Sequence, residues 1–301
     1  MSEARLRQLA NALPLPLLYV GRDERCRFHN RAAALALALP AARIDGQGLR
    51  EDRFLLLQQK IVPLKDGLPN PLCYEILLRL QEEEDNLLPP GGFLPLAESY
   101  GMMEEVDRWV VRTLIVRCRE RQLREKGWRA PLYWVNLSSA ALASPEFARS
   151  VQRQVQAEQF DGRLLCFEIG EPDLIARPRE AQRLVQALKP LGCRFTVDAF
   201  GSVRPAFAEL KDLAADFVKI DGVIVQNMLR NPAELGKARA TNTACRQIGV
   251  RTAAEFVEQH DTLSALRKIG VDYAQGFGIA APEPLFGAPL DLGQAAAAAA
   301  L

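Results

Sequence analysis

The feature that most constrains the fold is a regular alternation of short apolar segments and helical stretches over residues 53–287. Eight segments rich in β-branched, aromatic and leucine residues read FLLLQQKIV, LCYEILL, LYWVN, LLCFEI, RFTVD, ADFVKI, VRTAAE and VDYAQG. Helical patterns lie between most of them, at Glu104–Lys126, Pro145–Gln159, Arg179–Leu188, Ala233–Ile248 and Asp261–Ile269. This α/β alternation predicts a parallel sheet covered by helices, and eight strands favour a TIM-like (β/α)8 barrel over an open sheet.

The connection between the first two segments departs from this alternation. It is a short stretch, LKDGLPN, rich in turn-forming residues and too short for a crossover helix. We therefore predict a modified barrel in which one strand runs antiparallel to the others.

The first fifty residues have a different pattern. LPLPLLYVGRDERCRFHN predicts a strand, a turn and a strand, and a short helix follows over Arg31–Leu39 and ends before Pro40. This α+β order weakly resembles the first half of a PAS sensor module, but a dimerising or vestigial segment is the favoured explanation. We predict three parts: residues 1–52 as this PAS-like or dimerising segment, 53–287 as the barrel and 288–301 as a low-complexity tail.

Composition excludes several classes of function. The formal net charge is +1, which gives no reason to expect nucleic acid or an anionic membrane as a partner. No apolar run approaches the ~20 residues of a membrane helix. The six cysteines are scattered, which predicts buried thiols in a reducing cytoplasm. With histidines only at 29 and 260, any metal site must rely mainly on oxygen ligands.

Polar residues recur within or at the ends of these apolar segments, where an ionised side chain is costly unless it is paired or bound to a metal. The carboxyl ends of barrel strands converge on one mouth, so we expect these residues to meet there. A carboxylate–lysine network that only stabilises the barrel remains the alternative. The residues are Glu75, Asn136, Glu168, Asp198, Lys219, Asp221, Glu255 and Gln275.

The chemistry of this set indicates a hard cation. Carboxylate and amide oxygens suit Mg²⁺, Mn²⁺ or Ca²⁺ and disfavour zinc or copper. A lysine among them would serve an anionic substrate or orient a water molecule. The residues by themselves therefore suggest metal-assisted hydrolysis of a phosphate ester.

The segments, taken in order, resemble the EAL domain of bacterial cyclic di-GMP phosphodiesterases, which are signal-transduction hydrolases. The Glu-Ala-Leu that names the family reads Glu75-Ile76-Leu77 here, within YEILLRL. The resemblance covers residues 53–287 and implies a barrel with one antiparallel strand. The other matching segments are PPGGFLPLAESYGMMEEVDRWVV, NLS at 136–138, FEIGE at 167–171, DAFGS, VKID at 218–221, AEFVE at 254–258 and DYAQGFGIAAP at 272–282.

The resemblance implies a role for each matching position. Lys219, Glu255 and Gln275 would be catalytic: Lys219 would position the attacking water, Glu255 would be a candidate base, and Gln275 would help to place water or substrate. The implied metal ligands for Mg²⁺ or Mn²⁺ are Glu75, Asn136, Glu168, Asp198 and Glu255. Substrate contacts would come from Gln59, Glu75, Leu77, Arg79 and Asp221, and support of a loop from Glu171 and Glu258. The implied reaction opens one phosphodiester bond of cyclic di-GMP and gives the linear dinucleotide.

The sequence departs from the family pattern around the second metal. Where the family has Asp-Asp-Phe-Gly-Thr-Gly, this chain has Asp198-Ala199-Phe200-Gly201-Ser202-Val203, so the second carboxylate and the last glycine are missing. A methyl group cannot bind a cation, which makes the second ion doubtful. Phe256 stands where the family has glycine, Gly170 where it has threonine and Lys60 where it has proline.

Three functions remain open at this stage. The departures favour a cyclic di-GMP-binding protein with weak or no turnover. The intact Lys219, Glu255 and Gln275 would also serve an active phosphodiesterase, and a scaffold that acts only through protein contacts is the third possibility. The resemblance implies a homodimer, and the signalling partner is not identified by the sequence.

Overall fold

The computed structural model describes residues 18–20, 26–29, 54–68, 72–81, 87–99, 101–201 and 205–286. The chain divides into two compact units, one formed by residues 1–55 and 78–103 and the other by residues 56–77 and 104–301. Several sequence predictions concern positions outside the described residues: the helix over Arg31–Leu39, the substitution at Val203 and the low-complexity tail at 288–301.

The strands and helices alternate along the chain as predicted. The strands are β1 (Leu18–Val20), β2 (Cys26–His29), β3 (Phe54–Pro63), β4 (Cys73–Gln81), β5 (Leu87–Leu88), β6 (Leu132–Asn136), β7 (Leu165–Gly170), β8 (Arg194–Phe200), β9 (Phe217–Ile220), β10 (Arg251–Ala254), β11 (Tyr273–Gln275) and β12 (Glu283–Pro284). The helices are α1 (Leu94–Ser99), α2 (Met103–Arg124), α3 (Ser139–Ala143), α4 (Pro145–Ala157), α5 (Glu171–Ala176), α6 (Pro178–Leu188), α7 (Phe207–Leu213), α8 (Gly222–Asn227), α9 (Pro232–Gln247) and α10 (His260–Ile269).

Eight strands form a closed barrel, which confirms the predicted fold class. Neighbouring strands follow the order β3-β11-β10-β9-β8-β7-β6-β4, and pairing between β3 and β4 closes the ring. Six neighbouring pairs are parallel: β4–β6, β6–β7, β7–β8, β8–β9, β9–β10 and β10–β11. Strand β3 is antiparallel to β11, with Tyr273 opposite Pro63. This antiparallel strand follows from the short turn after β3, which leaves no room for a crossover helix.

The outer helices form for local reasons that the sequence shows. In α4, the Ser144 hydroxyl accepts a hydrogen bond from the Phe147 N–H and caps the helix, while Pro145 occupies its first turn, where a missing N–H costs little. Phe147, Val151 and Val155 recur every four residues and are buried. Helix α4 therefore turns one apolar face inward and leaves the other polar.

One end of the barrel interior is filled by large side chains. Trp134 packs on Phe217 at a ring distance of 4.9 Å, and Phe217 packs on Tyr273 at 5.8 Å. Cys73 and Cys166 complete this layer. Because side chains alternate across a strand, the residues two positions further along the same strands face the same interior. Those residues are Glu75, Asn136, Glu168, Lys219 and Gln275.

Three contacts are described within the smaller unit. The end of β4 pairs antiparallel with β5, Leu80 opposite Leu88. The Phe54 ring packs on the Phe93 ring at 5.7 Å. Strands β1 and β2 pair antiparallel. The other positions of the PAS-like or dimerising segment lie outside the described residues, so that assignment stays a prediction.

Two further expectations can be compared with the structure. Cys73, Cys118, Cys166, Cys193 and Cys245 are buried free thiols, as predicted. Within the described ranges, no helix has the length and apolar character needed to cross a membrane.

Candidate functional site

The polar layer of the barrel is organised around one lysine. Nζ of Lys219 lies 3.0 Å from Oε2 of Glu75 and 3.2 Å from Oε1 of Glu168. Oδ1 of Asp198 is 3.7 Å away and Oε2 of Glu255 is 3.8 Å away. Lys219, Glu75 and Glu168 are buried, whereas Asp198 and Glu255 are partly exposed. The structure thus brings together four acids from four different segments that the sequence separates by up to 180 positions.

Glu75 has the most complete set of hydrogen bonds in this cluster. Its Oε1 accepts a hydrogen bond from the Asn136 amide at 2.7 Å, and its Oε2 accepts one from Gln275 at 2.7 Å besides that from Lys219. Gln275 Nε2 also donates to Gln59 Oε1 at 2.9 Å. Gln59 in turn donates to the Ala280 carbonyl. These contacts fix the Glu75 carboxylate and leave it little rotational freedom.

The pKa values of the cluster follow from burial and from the number of donors. Burial raises the pKa of Glu75, but Lys219 and the amide donors outweigh it and leave the pKa lowered. Burial also raises the pKa of Glu168, which has fewer donors, so its pKa stays well above the usual range despite Lys219. Burial lowers the pKa of Lys219, yet the surrounding carboxylates outweigh it and raise it well above normal. Glu75 is therefore the carboxylate that pairs with Lys219 as an anion, whereas burial favours the protonated form of Glu168.

A β-bulge directs Asp198 into this cluster. Strand β8 pairs with β9 through Val197 opposite Val218 and Phe200 opposite Ile220. Asp198 and Ala199 therefore both oppose the single residue Lys219, and Ala199 has a left-handed backbone with φ of 52°. β-Bulges of this kind change the direction in which side chains point beside functional sites. The Asp198 carboxylate thus approaches Lys219, and the methyl group of Ala199 occupies the neighbouring position of the bulge.

Glu255 follows β10 and lies against the start of α8. Its Oε1 accepts a hydrogen bond from the Gly222 N–H at 3.1 Å. Burial raises the pKa of Glu255 to about 8; Lys219 opposes this shift, and the nearby Asp198 adds to it. Asp221 caps α8 by accepting from the Val223 N–H at 2.9 Å. Glu255 is thus a partly exposed acid whose pKa lies near neutrality.

Glu171 supports the segment that follows β8. The buried carboxylate accepts hydrogen bonds from the Gly201 N–H and from the Ala206 N–H, each at 3.0 Å. It thereby joins the two flanks of positions 202–204. The loop-supporting role that the resemblance implies for Glu171 stays a prediction.

The remaining predicted residues occupy more peripheral positions. Leu77 is half-buried in β4, and Arg79 lies further along the same strand, where its guanidinium donates to the Leu78 carbonyl at 2.8 Å. Glu258 is exposed after β10, and its backbone is closely approached by Gly278.

Sequence reasoning missed one buried acid next to the site. Asp107 of α2 accepts hydrogen bonds from the backbone N–H and the hydroxyl of Ser138, two residues beyond Asn136. Burial raises the pKa of Asp107 to about 7, although both hydrogen bonds oppose this shift. An acid among Val106, Trp109 and Val110 on the apolar side of a helix was the available signal.

The oxygen atoms of this cluster are of the chemical type that binds a divalent cation. Oε1 of Glu168, Oδ1 of Asp198 and Oε1 of Gln275 are buried oxygens that accept no hydrogen bond from any described residue, although the first two form ion pairs with the Lys219 ammonium at 3.2 and 3.7 Å. Oxygen atoms of this kind are the ligands that Mg²⁺ and Mn²⁺ prefer. Among the described residues, no three acidic, histidine or cysteine side chains are already arranged to hold a metal ion. The Lys219 ammonium instead lies where the carboxylates converge.

A closed barrel with one antiparallel strand and an acid–amide–lysine cluster at its strand ends defines the class of this protein. The EAL domain family model matches residues 44–282, and the chain belongs to that family.

Relatives of known name agree with this assignment. The chain is 30% identical over 268 residues to the cyclic di-GMP phosphodiesterase PdeB of Shewanella oneidensis, covering 89% of this chain and 30% of that protein. It is 30% identical over 239 residues to the cyclic di-GMP phosphodiesterase PdeF of Escherichia coli, covering 79% of this chain and 31% of that protein. The chain thus spans about a third of the length of these curated relatives.

Solved structures show the same fold. The FimX EAL domain of Pseudomonas aeruginosa bound to c-di-GMP is 28% identical, with a TM-score of 0.73 over 84% of this chain and 96% of that one. The FimX EAL domain of Xanthomonas citri in complex with c-di-GMP is 26% identical, with a TM-score of 0.75 over 86% of this chain and 96% of that one.

Proposed function

We propose that this chain binds cyclic di-GMP at the Lys219 cluster and hydrolyses it slowly or not at all. The observation that carries the proposal is the β8 bulge, where Asp198 faces the cluster and the adjacent Ala199 offers a methyl group. A two-metal site uses one ion for the attacking oxygen and the other for the leaving oxygen. With one carboxylate missing, we expect the ligand to be held while the transition state loses stabilisation.

The roles of the chain's own residues follow from their positions. Glu75, Asn136, Glu168, Asp198 and Glu255 would hold Mg²⁺ or Mn²⁺. A bound cation would supply positive charge to a substrate phosphate and lower the pKa of a nearby water. The Lys219 ammonium would orient the attacking water. Glu255, with a pKa of about 8, would accept its proton.

Substrate binding would use groups around the cluster. Arg79 would pair with a phosphate, as a guanidinium does in bidentate geometry. Gln59, Leu77 and Asp221 would contact the nucleotide, with Gln59 held in place by Gln275. Glu171, and Glu258 near the mouth, would support the loops. The partners implied are cyclic di-GMP, a second copy of the chain and a signalling protein of unidentified kind.

A working phosphodiesterase is the second candidate. Lys219, Glu255 and Gln275 are all present, and Gln275 and Lys219 both contact Glu75. A base with a pKa of about 8 is close to the working pH. These observations favour residual turnover over a complete loss of chemistry.

One experiment separates the candidates. Purified protein is titrated with cyclic di-GMP by calorimetry, and the same samples with Mg²⁺ or Mn²⁺ are assayed for linear dinucleotide by chromatography. Binding at micromolar nucleotide with turnover at least 100-fold below that of an active family member supports the proposal. Rapid formation of product establishes the phosphodiesterase instead, and the lack of any binding heat overturns the proposal and favours a protein scaffold.

A further inference from the structure

Phe256 is an exposed aromatic residue in an unfavourable backbone conformation. It follows Glu255 directly, has a φ of 53° and leaves 51% of its surface exposed. A left-handed backbone is costly for any residue with a Cβ, and an exposed ring gains little from burial. Residues held in such conformations are concentrated at binding and catalytic sites, where the surrounding structure imposes them.

The ring of Phe256 packs against the first turn of α8. It lies against Gly222, the first residue of α8, so closely that a Cβ at position 222 would collide with the ring. The Gly222 N–H donates to Glu255, which fixes the same two segments together. Phe256 therefore presents the rest of its ring from a fixed position beside Glu255.

Other apolar side chains lie on neighbouring segments. Val223 follows Gly222 and is 62% exposed, and Phe277 follows β11 and is 45% exposed. The loops after β10 and β11 are joined, because the Gly278 N–H donates to the Val257 carbonyl at 3.0 Å. We call Val223, Phe256 and Phe277 the apolar rim. It adjoins the polar cluster at the strand ends.

We propose that Phe256 is a stacking platform for one purine base of the bound cyclic dinucleotide. This inference rests on the function proposed above and adds a contact that the acid–lysine cluster cannot make. Carboxylates, an ammonium and a cation recognise phosphate, but they offer no flat apolar surface for a base. A rigid ring with an exposed face beside the cluster supplies that surface, since every base has a π-face that stacks on aromatic side chains.

The base explains the rim better than a protein partner does. The rim adjoins Glu255, so a protein seated on Phe256 would cover the mouth that the nucleotide needs. A stacked base instead covers the exposed ring while its phosphate reaches the cluster.

The first test places a reporter at the position itself. In F256W, titration with cyclic di-GMP should quench the added tryptophan in a saturable way, because a stacked purine quenches indole emission. Wild type, with Trp109, Trp128 and Trp134 alone, is the reference for subtraction. Calorimetry on the same samples shows whether nucleotide is bound.

The second test removes the ring. F256G relieves the left-handed strain, so its melting temperature should not fall, and its affinity for cyclic di-GMP should drop on the order of tenfold or more. Its affinity for Mn²⁺ should stay within about twofold of wild type if the ring contacts the base. L123A is the matched control, because Leu123 is a 70% exposed apolar residue on α2, and it should bind as wild type does.

The outcomes separate this inference from the proposed function. Binding by wild type with unchanged nucleotide affinity in F256G overturns the stacking platform and leaves the function standing. A parallel loss of Mn²⁺ affinity in F256G also overturns it, because the ring would then act through Glu255. Binding heat in F256W without quenching of the added tryptophan also overturns the stacking platform. If wild type does not bind cyclic di-GMP, both the stacking platform and the proposed function are wrong.

Discussion

The Nζ atom of Lys219 lies 3.0 Å from Oε2 of Glu75, inside a barrel layer that also brings Glu168, Asp198 and Glu255 within 3.8 Å of the same ammonium. One cation thus faces four acids. Removing one member of a buried charge network leaves the others uncompensated, which costs more than the pair contributes. The cluster is therefore held together by Lys219 when no other cation is present.

We expect K219M to destabilise the metal-free protein by about 3–5 kcal/mol near neutral pH, because the ionised Glu75 carboxylate then loses its paired charge inside the barrel. Urea unfolding in EDTA measures the loss. Added Mn²⁺ should recover part of it, since a divalent cation can take over the compensation. K237M is the control: Lys237 forms an exposed pair with Glu234 at 3.0 Å, and its loss should cost about 0–1 kcal/mol. Equal losses in the two variants would contradict the central role of Lys219.

Restoring an acid at position 199 tests whether the missing carboxylate in the β8 bulge limits turnover. A199D should raise turnover of cyclic di-GMP by about tenfold or more, equivalent to at least ~1.4 kcal/mol of transition-state stabilisation. Aspartate tolerates the left-handed conformation at this position better than most residues. The rate of product formation with Mn²⁺ is the measurement.

The matched control is A199G, which changes the backbone preference without adding a ligand. Because φ at Ala199 is 52°, glycine should stabilise the fold by about 1 kcal/mol. It should not raise turnover. If A199G and A199D accelerate the reaction equally, backbone relaxation rather than the carboxylate limits the reaction.

The contact between Phe256 and Gly222 predicts that substitutions at these two positions have coupled effects on the free energy of unfolding. G222A should destabilise the protein by about 1–3 kcal/mol, because its methyl group collides with the Phe256 ring. In the double variant G222A/F256G the collision is absent, and most of that loss should be recovered. Urea unfolding of the four proteins gives the coupling free energy. Additive losses would show that the ring does not lie on Gly222.

Asp107 predicts a pH dependence of stability. Its pKa of about 7 in the folded state exceeds the ~3.9 of a free aspartate, so the folded chain retains a proton that the unfolded chain releases. The contribution of Asp107 to the free energy of unfolding is therefore full below pH ~4 and is lost as pH rises to about 7. The stability of wild type relative to D107N should fall between pH 5 and pH 8, on the order of 2–3 kcal/mol.

A second variant checks the cause of this shift. S138A removes the hydroxyl that stabilises the Asp107 carboxylate, so the decline in stability should continue to higher pH than in wild type. Urea midpoints at several pH values provide the comparison. A pH-independent difference between wild type and D107N would show that Asp107 is ionised throughout.

The sequence by itself determined the barrel. Strand–helix alternation is a local pattern, and the helices fall within a few residues of their predicted positions; Arg179–Leu188, for example, is observed as Pro178–Leu188. The short turn after β3 likewise required an antiparallel strand, because chain length limits the connection. The polar residues of the site were also visible, since each lies within or at the end of an apolar segment of the sequence.

Only the tertiary structure decided what those residues contact. That Gln275 bridges Gln59 and Glu75, and that Lys219 lies among the acids, depends on strands brought together by ring closure. The bulge at Asp198 and Ala199 depends on the register of β8 against β9. Phe256 contacts Gly222, and Asp107 accepts a hydrogen bond from Ser138. Both contacts join segments that are more than thirty residues apart in the sequence. Local propensity carries no information on such distant pairs, because their geometry is set by packing of the whole barrel.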